Sequence, residues 1–137
     1  MYWKRVALDL SAALPHNRCV QEVMLTVVET RVFSRRAEKL LKVEEYAELI
    51  LYLASHPEEG DEISGTGGVR KLRFAAFGRG KSGGVRVIYY FYDAENPLYA
   101  MLLYGKNEQA NLTSEQKQGL SAIVAEVKAI AKARRVR

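Results

Sequence analysis

The sequence predicts a small α+β domain in which an antiparallel sheet of about four strands packs against N-terminal helices and a C-terminal helix. Between residues 69 and 104, short β-branched and aromatic runs alternate with turn residues, as is typical of an antiparallel meander. The segments on either side carry apolar residues at helical spacing. Apolar residues make up 48% and charged residues 27% of the 137-residue chain, so we expect one globular core rather than a disordered or fibrous chain.

The first 23 residues show weak periodicity, whereas a strongly patterned sequence begins directly after Met24. We therefore predict an N-terminal extension over residues 1–23 and a single domain over residues 24–137. If Met24 is the natural start, the extension does not belong to the natural chain. A defined fold for residues 1–20, packed into the core through Trp3 and Leu8, would count against Met24 as the start.

Composition also indicates the compartment. A signal peptide is not predicted, because Asp9 and Ser11 interrupt the apolar run near the N-terminus. No stretch reaches the roughly 18 apolar residues that a membrane-spanning helix needs, so no membrane partner is expected. A single cysteine, Cys19, excludes an internal disulfide and favours a reducing compartment. We expect a cytoplasmic protein.

Local signals predict the first elements in order. Leu25–Val28 predicts a short strand, and Ser34 is a candidate cap for a helix that ends near Leu41. A second helix carries apolar residues on one side, acids on the other and Pro57 at its end. A loop follows over Glu58–Gly68. The apolar positions of the second helix are Val43, Tyr46, Ala47, Ile50, Leu53 and Ala54, and its acids are Glu44, Glu45 and Glu48.

Three strands and a helix complete the predicted domain. The strands are Val69–Phe77, Val85–Tyr92 and Leu98–Tyr104, and short turns join them into a meander. Thr113 and Gln116 form a capping box for the last helix. Its buried face is predicted from apolar residues at helical spacing, which are Leu120, Ile123, Val124, Val127 and Ile130.

Positive charge is concentrated in the meander. The chain has 21 basic and 16 acidic residues, a net charge of +5. Six cations and no acid lie between residues 69 and 92, although a solvent-facing sheet usually alternates the two signs. This imbalance favours an anionic partner over the alternative, a merely solvated sheet face. The six cations are Arg70, Lys71, Arg73, Arg79, Lys81 and Arg86.

The common nucleotide and metal motifs do not fit this chain. Gly78, Gly80 and Gly83 have the spacing of a dinucleotide-binding loop, but a strand follows where that loop requires a helix. We predict that this segment is a flexible, cationic hairpin tip that contacts phosphate. The histidines, His16 and His56, lie far apart in sequence, so neither a metal site nor a histidine-dependent nucleophile is expected. No cofactor is predicted.

Four cations predict a site for single-stranded RNA. Side chains alternate along a strand, so Lys71 and Arg73 share one side and lie about 7 Å apart. Arg86 lies on the next strand, where its side depends on the register, and Lys106 follows the third strand. Together they would bound an electropositive cleft that suits single-stranded RNA. Ring faces for the bases would come from Tyr89, Tyr90 or Tyr104.

Three strings carry a resemblance to a known family. They are GTGGVRKLR at residues 65–73, GVRVIYY at residues 84–90 and YGKNE at residues 104–108. Over roughly Leu25–Val127, their order and spacing resemble the RelE/HigB-type toxins of bacterial toxin–antitoxin pairs, closest to the HigB-like branch. The resemblance implies a compact RelE/ParE-like fold and a ribosome-dependent endoribonuclease that cleaves mRNA in the decoding site. It also implies an antitoxin partner, through which the complex contacts operator DNA.

The resemblance also implies roles for single residues. The family's paired basic residues fall on Lys71 and Arg73, its central arginine on Arg86, and its Gly-Lys pair on Gly105 and Lys106. We interpret Lys71 as the base for 2'-hydroxyl attack, because neighbouring cations disfavour a charged ammonium. Arg73 and Arg86 would hold the phosphate, and Lys106 would stabilise charge or donate a proton. Further RNA contacts are predicted from Arg70, Arg79, Lys81, Tyr90 and Tyr104.

The chain departs from the family pattern at two positions, and two alternative functions remain open. Asn107 occupies a position where some members carry arginine, and no tyrosine follows Tyr104, although some members stack a C-terminal tyrosine on a base. ParE-like toxins share the fold but bind DNA gyrase and carry no comparable basic set. A non-catalytic RNA- or DNA-binding module would use the cationic hairpin and leave the nucleic acid intact.

Overall fold

The computed structural model describes residues 3–6, 25–75 and 84–135. Within these residues the chain forms six strands and three helices, which confirms the predicted α+β class. In chain order they are β1 (Trp3–Val6), β2 (Val27–Thr30), α1 (Arg31–Leu40), α2 (Val43–Ser55), β3 (Asp61–Glu62), β4 (Arg70–Phe74), β5 (Val85–Tyr90), β6 (Leu98–Gly105) and α3 (Ser114–Arg135).

The strands form one mixed sheet in the order β1-β2-β6-β5-β4-β3. The antiparallel meander β4-β5-β6 matches the prediction, but β2 pairs with β6 in parallel. Parallel pairing is possible because α1 and α2 carry the chain across the sheet between β2 and the meander. The predicted number of about four strands is too low, because β1 and β3 add short edge strands of four and two residues.

Edge strand β1 pairs with β2 in antiparallel register, with Trp3 opposite Thr30. Leu8, whose packing was predicted to test the division of the chain, lies outside the described residues. The N-terminal extension over residues 1–23 therefore stays a prediction. No helix in the described parts of the chain has the length and hydropathy that crossing a bilayer requires.

Helix α1 begins at a different residue from the one predicted. Thr30 is its N-cap, because the Thr30 hydroxyl accepts a hydrogen bond from the Phe33 amide at 3.0 Å. The prediction of Ser34 as the cap is wrong, because Ser34 lies inside the helix and its hydroxyl donates to the buried Glu29 carboxylate at 2.7 Å. The Thr30 hydroxyl also donates to the Met101 carbonyl at 2.6 Å, which ties the start of α1 to β6.

Two apolar clusters cover the two faces of the sheet. The first lies under α1 and α2 and includes Phe33, Leu49, Leu72 and Val87. The second lies under α3 and includes Ile88, Tyr90, Met101, Tyr104, Leu120, Val124 and Val127. Because neighbouring residues of β4 and β5 belong to opposite faces, the cations of these strands are divided between the two faces.

The capping box of α3 is confirmed. The Gln116 amide donates to the Thr113 hydroxyl at 3.1 Å, and the Thr113 amide donates to the Gln116 side chain at 2.9 Å. The prediction for Ile130 is wrong, because this side chain is 52% exposed. Ala131 is buried in its place, since the spacing from Val124 through Val127 to Ala131 keeps one helical face on the sheet.

Candidate functional site

Arg73 of β4 and Arg86 of β5 are direct register partners. Directly opposed residues of an antiparallel pair project from the same face, with Cα atoms about 5 Å apart. Lys71 lies two residues before Arg73 and therefore projects from that face as well. The register thus settles the side of Arg86, which the sequence left open. Tyr104 of β6 is opposite Arg86 and completes the row across the sheet.

This basic face is formed by Lys71, Arg73 and Arg86, and Asp61 of β3 is the register partner of Lys71 at its edge. Arg73 is exposed, and Lys71 and Arg86 are half-buried. Neither of the ion pairs found among residues 3–6, 25–75 and 84–135 includes any of the three. Like charges opposite each other destabilise a sheet, so this face is electrostatically suited to an anion.

A cleft of about 260 Å³ opens beside this face. Its walls are Arg73, Phe74 and Ala75 at the end of β4, and Gly84 and Arg86 at the start of β5. A guanidinium is therefore available from each of the two strands. Arg79 and Lys81, predicted to contact RNA from the connecting hairpin tip, lie outside the described residues.

Lys106 lies at the same end of the sheet as Arg73 and Arg86. Gly105 is the register partner of Val85, and Lys106 follows it in an exposed turn that ends at Glu108. The Arg36 guanidinium of α1 pairs with the Glu108 carboxylate in this turn. That interaction, the Gly105 amide and nearby cations lower the pKa of Glu108 below its ordinary 4.5. Sequence reasoning missed Arg36 and Glu108, because only the fold brings α1 to the end of β6.

The predicted ring faces are not accessible. Tyr90 is 4% exposed and Tyr104 is 2% exposed, and both belong to the apolar cluster under α3. Tyr89 projects from the opposite face, where its hydroxyl accepts from the Gly60 amide at 2.9 Å. The expectation that one of these three rings stacks on a base is therefore wrong, because each ring fills the core instead.

The Tyr104 hydroxyl is buried next to Arg86 without a hydrogen-bond partner in the described part of the chain. Burial raises the pKa of Tyr104, and the positive charge of Arg86 opposes part of that shift. The structure therefore gives Tyr104 a place beneath the basic face rather than on its surface.

Arg70 lies on the opposite face from Lys71 and has a structural role. Its guanidinium donates to the carbonyls of Glu58 at 2.9 Å and Gly60 at 2.6 Å, and pairs with Glu62 at 3.6 Å. These contacts hold the loop after α2 against β4. The structure therefore does not bring Arg70 together with the cations of the basic face, although it was predicted to bind RNA beside them.

The described residues contain no group of three or more histidine, cysteine, aspartate or glutamate side chains placed to hold a metal ion.

The family model that describes the RelE toxin of the RelE/RelB toxin–antitoxin system matches residues 25–135. This chain belongs to the RelE toxin family. The match runs from just before β2 to the end of α3 and includes every residue of the basic face.

Membership of the RelE family makes this protein a toxin of a toxin–antitoxin system. RelE-family toxins are generally endoribonucleases that inhibit translation, and the implied partner is a cognate RelB-type antitoxin. The family model covers RelE toxins as a whole, so the closer resemblance to the HigB-like branch stays a prediction.

Proposed function

We propose that this RelE-family toxin cleaves mRNA on translating ribosomes by attack of a 2'-hydroxyl on the adjacent phosphorus, without a metal ion. The observation that carries the proposal is the direct pairing of Arg73 with Arg86, neither of which forms an ion pair with an acid among the described residues. Two guanidinium groups in adjacent strands attract a singly charged phosphodiester and can balance the additional negative charge of the phosphorane that forms from it.

The reaction needs three functions, and the basic face offers a residue for each. A base removes the 2'-hydroxyl proton, and we assign this role to Lys71 because it projects from the same face as Arg73 and Arg86, which hold the phosphate. The two arginines neutralise the growing charge on the phosphorane oxygens. Lys106, at the adjacent strand end, stabilises or protonates the leaving 5'-oxygen. The products are a 2',3'-cyclic phosphate and a free 5'-hydroxyl.

The burial of the tyrosines supports dependence on the ribosome. Tyr90 and Tyr104 are both buried, so neither can hold a base against the basic face. Contacts to the RNA backbone carry no sequence information, so the basic face by itself does not select the nucleotide that is cleaved. An mRNA held in the decoding site supplies the fixed geometry that these residues of the toxin do not supply, and such positioning contributes strongly to rate.

The proposed partners follow from the same site. The ribosome and mRNA contact the basic face, and the RelB-type antitoxin neutralises the toxin and mediates any contact with operator DNA. We propose a cytoplasmic location, where translating ribosomes are found in bacteria.

Mapping transcript ends in a purified translation system tests this proposal. Wild-type toxin should produce breaks inside translated regions, and blocking initiation should remove them. The matched control is Arg35→Ala, which removes an exposed arginine of α1 and should cleave like wild type. Equal cleavage with and without translation would contradict ribosome dependence. Inhibition of gyrase supercoiling with intact transcripts would favour a ParE-like toxin, and RNA binding without any cleavage would favour a non-catalytic module.

A further inference from the structure

We infer that Arg36 and Glu108 are positioning residues that hold Lys106 at the cleavage site. We call this pair the Arg36–Glu108 clamp. The inference deepens the proposed function and rests on it, because it assigns to the clamp a role in the action of Lys106. Neither clamp residue belongs to the basic face, and each acts through the backbone that carries the lysine.

Glu108 closes the turn that contains Lys106. The Gly105 amide donates to Glu108 Oε1 at 2.6 Å, and the Glu108 amide donates to the Gly105 carbonyl at 3.0 Å. Glu108 therefore contacts the backbone of Gly105 through both its side chain and its main chain. Lys106 and Asn107 lie between these contacts, so the glutamate limits the conformations of the backbone from which the lysine projects.

Arg36 joins this turn to a rigid element. Its guanidinium pairs with Glu108 Oε2, and its Nε atom donates to the Leu103 carbonyl at 3.2 Å. One side chain of α1 thus contacts both the last residues of β6 and the turn that follows them. Because α1 is packed on the core through Phe33 and Ala37, the clamp fixes the turn relative to the whole sheet.

Fixing this turn matters because of its place in the sheet. Tyr104, two residues before Lys106, is the register partner of Arg86. A small shift of the turn would move the lysine relative to the phosphate held by Arg86, and misplacement by about 1 Å can cost up to 10²-fold in rate. The expected contribution to stability is small, since the clamp is partly exposed and exposed ion pairs stabilise proteins weakly.

Epistasis with Lys106 distinguishes positioning from a general structural effect. We expect Glu108→Gln and Arg36→Ala each to lower the single-turnover rate of mRNA cleavage on saturating ribosomes by roughly 10-fold. In a Lys106→Ala background, which should retain measurable residual activity, neither change should lower the rate further. The double variant of the clamp should be no slower than either single variant. Glu126→Gln and Arg35→Ala, both exposed and distant in sequence from the turn, are the matched controls.

Hydrogen exchange tests the Arg36–Glu108 clamp independently of cleavage activity. Hydrogen exchange of the Gly105 amide should be at least about 10-fold faster in both variants, because Glu108→Gln replaces the charged acceptor with a weaker neutral one and Arg36→Ala releases the carboxylate from its ion pair. Thermal denaturation should show a shift of less than about 4 °C for each variant. Gly105→Ala gives an independent perturbation, because an added Cβ would lie 3.2 Å from Glu108 Oε1 and the carboxylate would have to shift by a few tenths of an ångström.

The outcomes separate the clamp from the proposed function. A wild-type protein that leaves translated mRNA intact would overturn the proposed function. It would also overturn the role of the clamp in cleavage, whatever the hydrogen-exchange rate of the Gly105 amide. With an active wild type, an unchanged rate in Glu108→Gln would overturn the clamp. An equal loss in the Lys106→Ala background, or unchanged exchange of the Gly105 amide, would also overturn it.

Discussion

Arg73 and Arg86 face each other across β4 and β5, and no acid in the described part of the chain pairs with either. Opposed side chains of like charge lower the stability of an antiparallel pair by a few tenths to about 1 kcal/mol. The folded toxin therefore carries a local electrostatic cost that bound phosphate would relieve.

Arg86→Ala should abolish most cleavage without unfolding the toxin. Loss of one preorganised donor to the phosphorane typically lowers the rate by about 10² to 10³. The free energy of unfolding should stay the same or rise slightly, because the repulsion with Arg73 is removed. Single-turnover cleavage and urea denaturation measure the two effects, with Arg35→Ala as the control. A folded Arg86→Ala protein with wild-type cleavage would remove Arg86 from the site.

Arg73→Glu should stabilise the fold while it inactivates the toxin. The glutamate would face Arg86 and replace a repulsive cross-strand pair with an attractive one, which should raise the free energy of unfolding by about 0.5 kcal/mol. The same change places a negative charge in the cleft and should reduce RNA binding. Urea denaturation with a parallel binding measurement tests both. Lower stability together with full RNA binding would show that the two side chains do not interact.

RNA binding should weaken steeply with salt. If Lys71, Arg73, Arg86 and Lys106 each neutralise a phosphate of a single strand, the slope of log affinity against log salt should be about −3. Arg73→Ala should make this slope shallower by about 0.7. Fluorescence anisotropy with an RNA that carries 2'-O-methyl groups measures binding without cleavage. A flat response would contradict the basic face as an RNA site.

Tyr104→Phe should stabilise the protein and leave cleavage intact. The Tyr104 hydroxyl is buried without a partner among the described residues, and an unsatisfied buried polar group costs about 1 kcal/mol or more. Tyr89→Phe is the matched comparison, since it removes a hydrogen bond to the Gly60 amide and should destabilise by about 1 kcal/mol. Denaturation of both variants tests the contrast. Strong loss of cleavage in folded Tyr104→Phe would instead indicate that its hydroxyl acts in the reaction.

The stabilising effect of the Glu108 carboxylate should be lost at low pH. Its pKa in the folded protein lies below 4.5, mainly because Arg36 donates a hydrogen bond to it. Because the pKa of Glu108 is lowered on folding, its carboxylate stabilises the protein fully above about pH 4.5. This stabilisation is lost as the pH falls through the pKa of Glu108 in the folded protein. The difference in unfolding free energy between wild type and Glu108→Gln should therefore shrink below pH 4.5 and stay constant above it. A difference that grows on acidification would contradict this assignment.

Elements with a strong local signal could be predicted from the sequence. Helix α2 has a clear apolar face, α3 has a capping box, and turns separate the strands of the meander, so each was placed to within a few residues. Ser34 was misread as a cap because Thr30 and Ser34 are both good capping residues, and the choice depends on how β2 enters the sheet. The parallel pairing of β2 with β6 involves residues about 70 apart and leaves no local trace.

For the candidate site, alternation along one strand already placed Lys71 and Arg73 on the same side, because the period of two is a property of the backbone alone. The pairing of Arg86 with Arg73, the burial of Tyr90 and Tyr104, and the approach of Arg36 to Glu108 were decided by the tertiary structure. Each of these depends on strand register and helix packing, and many distant contacts set those together. Residue identity thus indicated which cations were available, and packing decided which of them meet.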